Sequence, residues 1–369
     1  MNKDTTFSED TWNDFCLQLQ QAGKTILAKT PDDGLDKTEG FRYLARLTHH
    51  ALGQFIENPQ PLRPSFTYNS PKIGGDNPDY LYGSATISGQ YNYIIRGNIN
   101  DSFNVGIGSY YGGLGSGKGL LCSGYLLLSD LKKDADGNFE IIASQTEQGE
   151  NWLPLIRESN SLMARQTLLD RKTDRPANLD IKLLNPNSVA PTQAEPLDAE
   201  IFSKSIQTAG LFVSGVVGQF INWTDTFKQH PNKILPTDPK LLEFAEGDPN
   251  TIYYNGYFEL AEGEALEVIL APPTCEYWNI QVANHWLESM DYLDYQTHFN
   301  HSNAKAESDG KVRIIIAKTN PKTATGCDNW IDTAGHDRGC ISLRWIKATQ
   351  DSQPETRLIS ILPQVVNTL

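Results

Sequence analysis

The sequence predicts a mainly β protein: two β-sandwiches, with a helical hairpin before the first and a helical segment between them. Three observations carry this reading. Short runs of β-branched and aromatic residues, punctuated by Gly, Asn and Asp, fill two long blocks of the chain. The two blocks resemble each other. Apolar residues at three- and four-residue steps mark helices outside them. The 369 residues suit about two domains. The expected division is 1–63 for the hairpin, 64–182 for the first sandwich, 183–247 for the helical linker and 248–369 for the second sandwich.

In chain order, Trp12, Phe15, Cys16, Leu19, Ala22 and Ile26 make one helical face, with Thr6 and Glu9 at capping-box spacing before it. Phe41, Leu44, Leu47, Ala51, Leu52 and Phe55 make a second, which Asp36 with Glu39 could cap. The turn between them is TPDDG, Thr30 to Gly34. Strands follow in SATISG, YNYIIRGNI, SFNVGIGSY, GLLCSGYLLL and NFEIIASQ. LLNPNSVAPTQAEP reads as a linker, and a helix starts near Asp198 with Ile201, Ile206, Leu211, Val216, Phe220, Trp223 and Phe227 roughly on one side. Strands return from about 252 in IYYNGYFEL, EALEVIL, YWNIQVA, KVRIIIA, CISLRWI and TRLISIL.

The internal resemblance is specific. DGNFEIIAS is followed by ENWLPLI and SLMARQ, and DGKVRIIIA is followed by DNWIDTA and CISLRW. Asn151–Trp152 matches Asn329–Trp330, and a late arginine follows in each copy, Arg165 and Arg344. DYLYGSATIS stands where TIYYNGYFELA stands. Many short strands favour sandwiches over a parallel α/β sheet. Duplication also gives a filter. Features in both copies belong to the fold by this reasoning, and features in one copy are freer to be functional.

Composition excludes several functions. With 31 basic against 45 acidic residues the net charge is −14, and no basic cluster is present to meet nucleic acid or an anionic membrane. The longest apolar run, Ala209 to Ile221, is 13 residues, short of the ~20 that span a bilayer. MNKDTTFSED has no apolar signal region, so a cytoplasmic location is expected. Five cysteines without a CxxC pair read as reduced thiols, Cys327 and Cys340 being the pair near enough in sequence to bridge.

Gly112 to Lys118 approaches a phosphate loop but continues with Gly119 into a strand, so it reads as a glycine-rich turn. His285, Trp286, Glu288, Asp291, Asp294, His298 and His301 cluster in the second block only, and Asp332 and His336 follow in NWIDTAGHDRG. If that loop folds back, Asp332 could orient His336 for proton transfer. The plainer reading has Asp332 capping a turn and His336 bonding the backbone. His298 and His301 with Glu288 or Asp291 could supply metal ligands, at a spacing that matches no known motif. Glu288, Asp291, Asp294 and Asp332 with Trp286, Tyr292 and Trp330 could be drawn as a glycosidase site. GxSxG is absent, and no cysteine has a protease-like context.

At these residues the sequence resembles the bacterial family catalogued as domain of unknown function 1214. The resemblance rests on YFELAEGEALEVILAPPTCEYWNIQVANHWLESMDY, a DG turn, and CDNWIDTAGHDRGCISLRW, over about 250–364. NPDYLYGSATISGQYNYIIRG and GENWLPLI extend it less specifically. It implies two jelly-roll-like sandwiches with helical additions and no reaction. The matched positions are Trp286, Glu288, Asp291, Tyr292, Asn329, Trp330, Asp332, Gly335, His336, Gly339 and Arg344.

The expected function is binding of a small-molecule or carbohydrate-like ligand in the second sandwich by His285, Trp286, Glu288, Asp291 and Trp330. One alternative is an acid/base hydrolase or lyase using His336 and Asp332 with nearby carboxylates, Glu288 or Asp291. Another is a structural protein that forms homo-oligomers. No cofactor or metal is implied.

Overall fold

The computed structural model describes residues 7–57, 60–185 and 197–361. Helices α1 (Glu9–Lys29) and α2 (Gly34–Leu52) form the expected hairpin. Ser8 caps α1 by accepting from the Asp10 amide, while Thr6 lies outside the described residues. Asp33, not Asp36, caps α2: its carboxylate accepts from the Leu35 and Asp36 amides. Starting the helix there turns Asp36 and Glu39 inward. Helix α3 (Ala199–Phe227) begins after Asp198, whose side chain accepts from the Ile201 amide.

In the first half, the strands are β1 (Tyr80–Thr86), β2 (Tyr93–Asn98), β3 (Asn104–Gly113), β4 (Gly119–Leu127), β5 (Asn138–Ser144), β6 (Trp152–Pro154), β7 (Ser161–Thr167) and β8 (Asn178–Leu183). They form two sheets, β1-β7-β3-β4 and β6-β5-β2-β8. The second half has β9 (Ile234–Pro236), β10 (Thr251–Glu259), β11 (Glu264–Leu270), β12 (Tyr277–Ala283), β13 (His298–Asn300), β14 (Val312–Ala317), β15 (Trp330–Asp332), β16 (Arg338–Ile346) and β17 (Glu355–Ser360). Its sheets run β13-β12-β16-β10-β9 and β15-β14-β11-β17. Setting aside edge strand β9, the two halves have the same strand order position by position. Each has a parallel pair at the same place, β5 with β6 and β14 with β15.

The duplicated Asn-Trp pair does the same work twice. Asn151 donates to the carbonyls of Lys132 and Glu140 and accepts from the Lys132 amide. Asn329 donates to those of Lys305 and Arg313 and accepts from the Lys305 amide. The Trp152 and Trp330 indoles each donate to a carbonyl at the end of the neighbouring parallel strand, Ser144 and Ala317.

Period-2 alternation sends one face of most strands into a core. Ala85, Ile107, Leu162 and Ala164 meet Ile95, Ile141 and Ile181 in the first half. Tyr254, Ile280, Leu343 and Trp345 meet Leu266, Val268 and Ile314 in the second. A third core joins α1, α2 and α3 to Tyr257, Trp286 and Cys340 of the second half. The apolar Ala209–Ile221 run is the middle of α3, and most of its bulk is buried there. No helix among the described residues is long and apolar enough to cross a membrane.

The glycine-rich turn between β3 and β4 packs on α3. Gly115, at φ +70°, approaches Gly215 so closely that a Cβ there would lie 2.4 Å from the Val216 nitrogen. The Gly115 amide donates to Gln219. All five cysteines are free thiols. Cys327 and Cys340 sit in different cores.

Candidate functional site

The strand faces turned away from the two cores meet across a cleft of about 530 Å³, a size suited to a small ligand. Tyr80, Tyr82, Ser84 and Thr86 of β1 and Met163 and Arg165 of β7 line it from the first half. Thr251, Tyr253 and Asn255 of β10 and Ser342 and Arg344 of β16 line it from the second. Phe212, Phe220 and Trp223 of α3 close one side with an apolar wall. A larger hollow of about 1160 Å³ lies open on the outer face of β2, β5 and β8. There Arg96 pairs with Glu140 and Lys132 with Glu150, so its cations are already answered.

The two late arginines occupy equivalent register positions, Arg165 opposite Tyr82 and Arg344 opposite Tyr253. Each tyrosine hydroxyl accepts from the amide five residues upstream, Asn77 and Asp248. Arg344 is buried and donates to Asn279, Gln281 and the Gly75 carbonyl. Arg165 is half-buried and differs: its Nη1 donates to the Tyr110 hydroxyl at 2.7 Å. Its guanidinium lies 5.6 and 6.0 Å from the ring centres of Tyr110 and Tyr125. No carboxylate of the described residues forms an ion pair with either arginine, although Asp76 adds a distant charge near Arg344. Arg165 is a positioned cation with donors to spare, opening on the cleft.

The acids around it are occupied. Asp76 accepts from the Ser289 amide and hydroxyl, Glu246 from the Cys122 amide, and Asp248 from Asn250. Lys204 at the cleft edge pairs with Glu200. His50 lies against Phe212, and burial lowers its pKa to about 4, so it is neutral near pH 7.

None of the expected binding or catalytic residues, His285, Trp286, Glu288, Asp291, Trp330, Asp332 and His336, lines this cleft. His336 and Asp332 do not form a pair. Asp332 accepts from the Ala334 amide, capping the turn. His336 contacts the Thr333 carbonyl through Nδ1 and the Glu39 carboxylate at 2.8 Å through Nε2. The loop leads His336 to helix α2 instead. Burial opposes charge on His336, but the bond and charge of Glu39 outweigh it and raise its pKa, and Glu39 is lowered in turn. The network continues through Asn284, which donates to Glu39 and Glu288, to the 2.6 Å pair of Glu288 with Arg46. Burial pushes Glu288 up, against the opposing pull of Arg46.

His285 is buried between Tyr257 and the Lys29 carbonyl. Trp286 is buried with its indole donating to the Asp36 carbonyl. Trp330 is half-buried on its Ala317 bond, and Asp291 is exposed, accepting from the Leu293 amide. Of the acids drawn as a glycosidase grouping, Glu288 is buried, Asp291 and Asp294 are exposed, and Asp332 is half-buried. His298 pairs with Asp79, and His301 stacks near Phe103 and Tyr277. Among the described residues, Asp36, Glu39 and His336 form the one cluster whose donor atoms could converge on a metal.

The arginines were visible in the sequence as charges inside apolar strands, SLMARQTL and CISLRWI. Alternation alone places them opposite the core residues. Their presence in both copies assigned them to the fold, and the strand faces they share with the cleft show why that filter missed them.

Fold and cleft together define a tandem β-sandwich protein with an interior cleft backed by a long helix. The chain belongs to the family described as Protein of unknown function (DUF1214), which matches residues 123–167 and 265–350. It is similar to an uncharacterised protein from Burkholderia cenocepacia, with 36% identity and a TM-score of 0.89, over 95% of this chain and 97% of that one. The VPA0106 protein from Vibrio parahaemolyticus shares the fold, with 12% identity and a TM-score of 0.50, over 93% of this chain and all 100% of that one. No curated protein matches the chain.

Proposed function

We propose that this protein binds a small organic anion in the cleft between its sandwiches. A carboxylate or similar compact oxyanion sits on Arg165, and an apolar body lies against Phe212, Phe220 and Trp223. The supporting observation is Arg165 itself: a guanidinium held by one tyrosine hydroxyl and two rings, with no ion-pair partner. Leaving such a half-buried cation without an ion-pair partner is costly, and an anionic ligand reduces that cost. A neutral carbohydrate would satisfy the serines and tyrosines of the cleft but not the charge, which favours an anion over a sugar.

The test is calorimetric titration with alkyl and aryl carboxylates and with the matching phosphate esters, on the wild type and on Arg165→Met. The expected result is saturable binding by one series, weakened about 10–100-fold in the variant, as loss of charged hydrogen bonds implies. Equal affinities in the two proteins, or no binding by either series, would overturn the proposal.

A further inference from the structure

We infer that Asp36, Glu39 and His336 form a divalent-metal site between the first turn of α2 and the 333–336 turn. The ion is bound by one imidazole nitrogen and two carboxylate oxygens. Asp36 and Glu39 stand three residues apart and therefore share a helix face. One donor atom from each of the three residues lies within 4.8 Å of the others. Bonds of about 2.0–2.2 Å to a first-row ion need the donors only somewhat closer together.

The second observation is an orphan. Asp36 is 2% exposed, and its Oδ1 has no hydrogen-bond partner. The Glu39–His336 contact accounts for two of the three groups and leaves this one unexplained. A buried polar atom without a partner costs about 1–3 kcal/mol and calls for an ion or water. An ion placed among the three donors would supply it.

The surroundings fit. The Thr333 carbonyl holds Nδ1 of His336, which fixes the ring and points Nε2 at the carboxylates. Arg42 holds Oε1 of Glu39, while Oε2 faces His336 and accepts from Asn284. Two carboxylates with a neutral imidazole balance a divalent charge. Without the ion, a proton on Nε2 takes its place beside Glu39. Imidazole and carboxylate donors without sulfur suit Zn²⁺ or Mn²⁺.

The experiment uses the full chain, freed of metal by a chelator and dialysed against ZnCl₂ or MnCl₂, with bound metal measured by mass spectrometry. One equivalent of at least one ion is expected, falling below about a tenth of an equivalent in Asp36→Asn and His336→Gln. Circular dichroism shows whether those variants fold. If they do not, X-ray absorption of the loaded wild type decides, an oxygen and nitrogen shell with an imidazole signature being expected. No stoichiometric binding of either ion, full binding in both folded variants, or sulfur in the shell would overturn the inference.

Discussion

At the residue scale, His285 shows how this protein keeps an imidazole neutral. Its Nδ1 accepts from the Tyr257 hydroxyl at 2.9 Å, and its Nε2 donates to the Lys29 carbonyl at 3.1 Å. Burial, helped by the charge of Lys228, lowers its pKa from 6.5 to about 4. Between these values the unfolded chain binds a proton that the folded chain refuses. Stability contributed here is present above pH 6.5 and lost as pH falls toward 4, by up to roughly 3 kcal/mol. The expected outcome for His285→Gln is a shallower loss of stability between pH 6.5 and 4.5, read from urea unfolding at each pH. Parallel profiles would contradict it. The sequence selected His285 and His336 for their chemistry and could not show their surroundings. Glu39, which fixes His336, is 297 positions away.

At the element scale, α2 was readable as a helix and its buried face was readable in part. The apolar pattern rightly included Leu47 and Ala51, which are buried, but it also took in Phe41, which is 42% exposed, and missed Asp36, Glu39 and Tyr43 on the buried side. Carboxylates on a helix read as solvent-facing until a partner such as His336 or Asn284 is known. Helix α3 was located well from its apolar run, yet its contact with the glycine turn is a backbone event with no sequence pattern. A Cβ on Gly215 would sit 2.0 Å from the Gly115 oxygen, while one on Gly218 meets nothing within 4 Å. Gly215→Ala is therefore expected to lose about 1–3 kcal/mol. Gly218→Ala is expected to gain about 0.5–1 kcal/mol from helix propensity. Denaturant midpoints of the two variants check the pair, and shifts of the same sign would contradict the proposed packing.

At the scale of the whole molecule, repetition was legible because the Asn-Trp pair and the Asp-Gly turns recur as short strings. How the two halves meet was not, since that depends on contacts between distant segments. Asp79, 3% exposed, reaches from the first half to three residues of the second. It accepts from Tyr277 at 2.6 Å and Asn300 at 2.9 Å, and pairs with His298 at 3.0 Å. Burial works against its charge, but these donors outweigh it and hold its pKa below the ordinary value. Asp79→Ala strands all three partners. A loss of roughly 3–5 kcal/mol is expected, seen in calorimetry as a lowered main transition. An unchanged transition would mean that the halves are not coupled through this residue.

The same meeting of halves creates the cleft, in which an anion is proposed to sit on Arg165. The most direct measurement is a crystal structure of the protein with the anion that stabilises it most. The carboxylate or phosphate oxygens are expected within hydrogen-bond distance of the Arg165 guanidinium, with the apolar body on the Phe212, Phe220 and Trp223 side. Density for that anion on surface lysines, with the cleft holding only water, would contradict it.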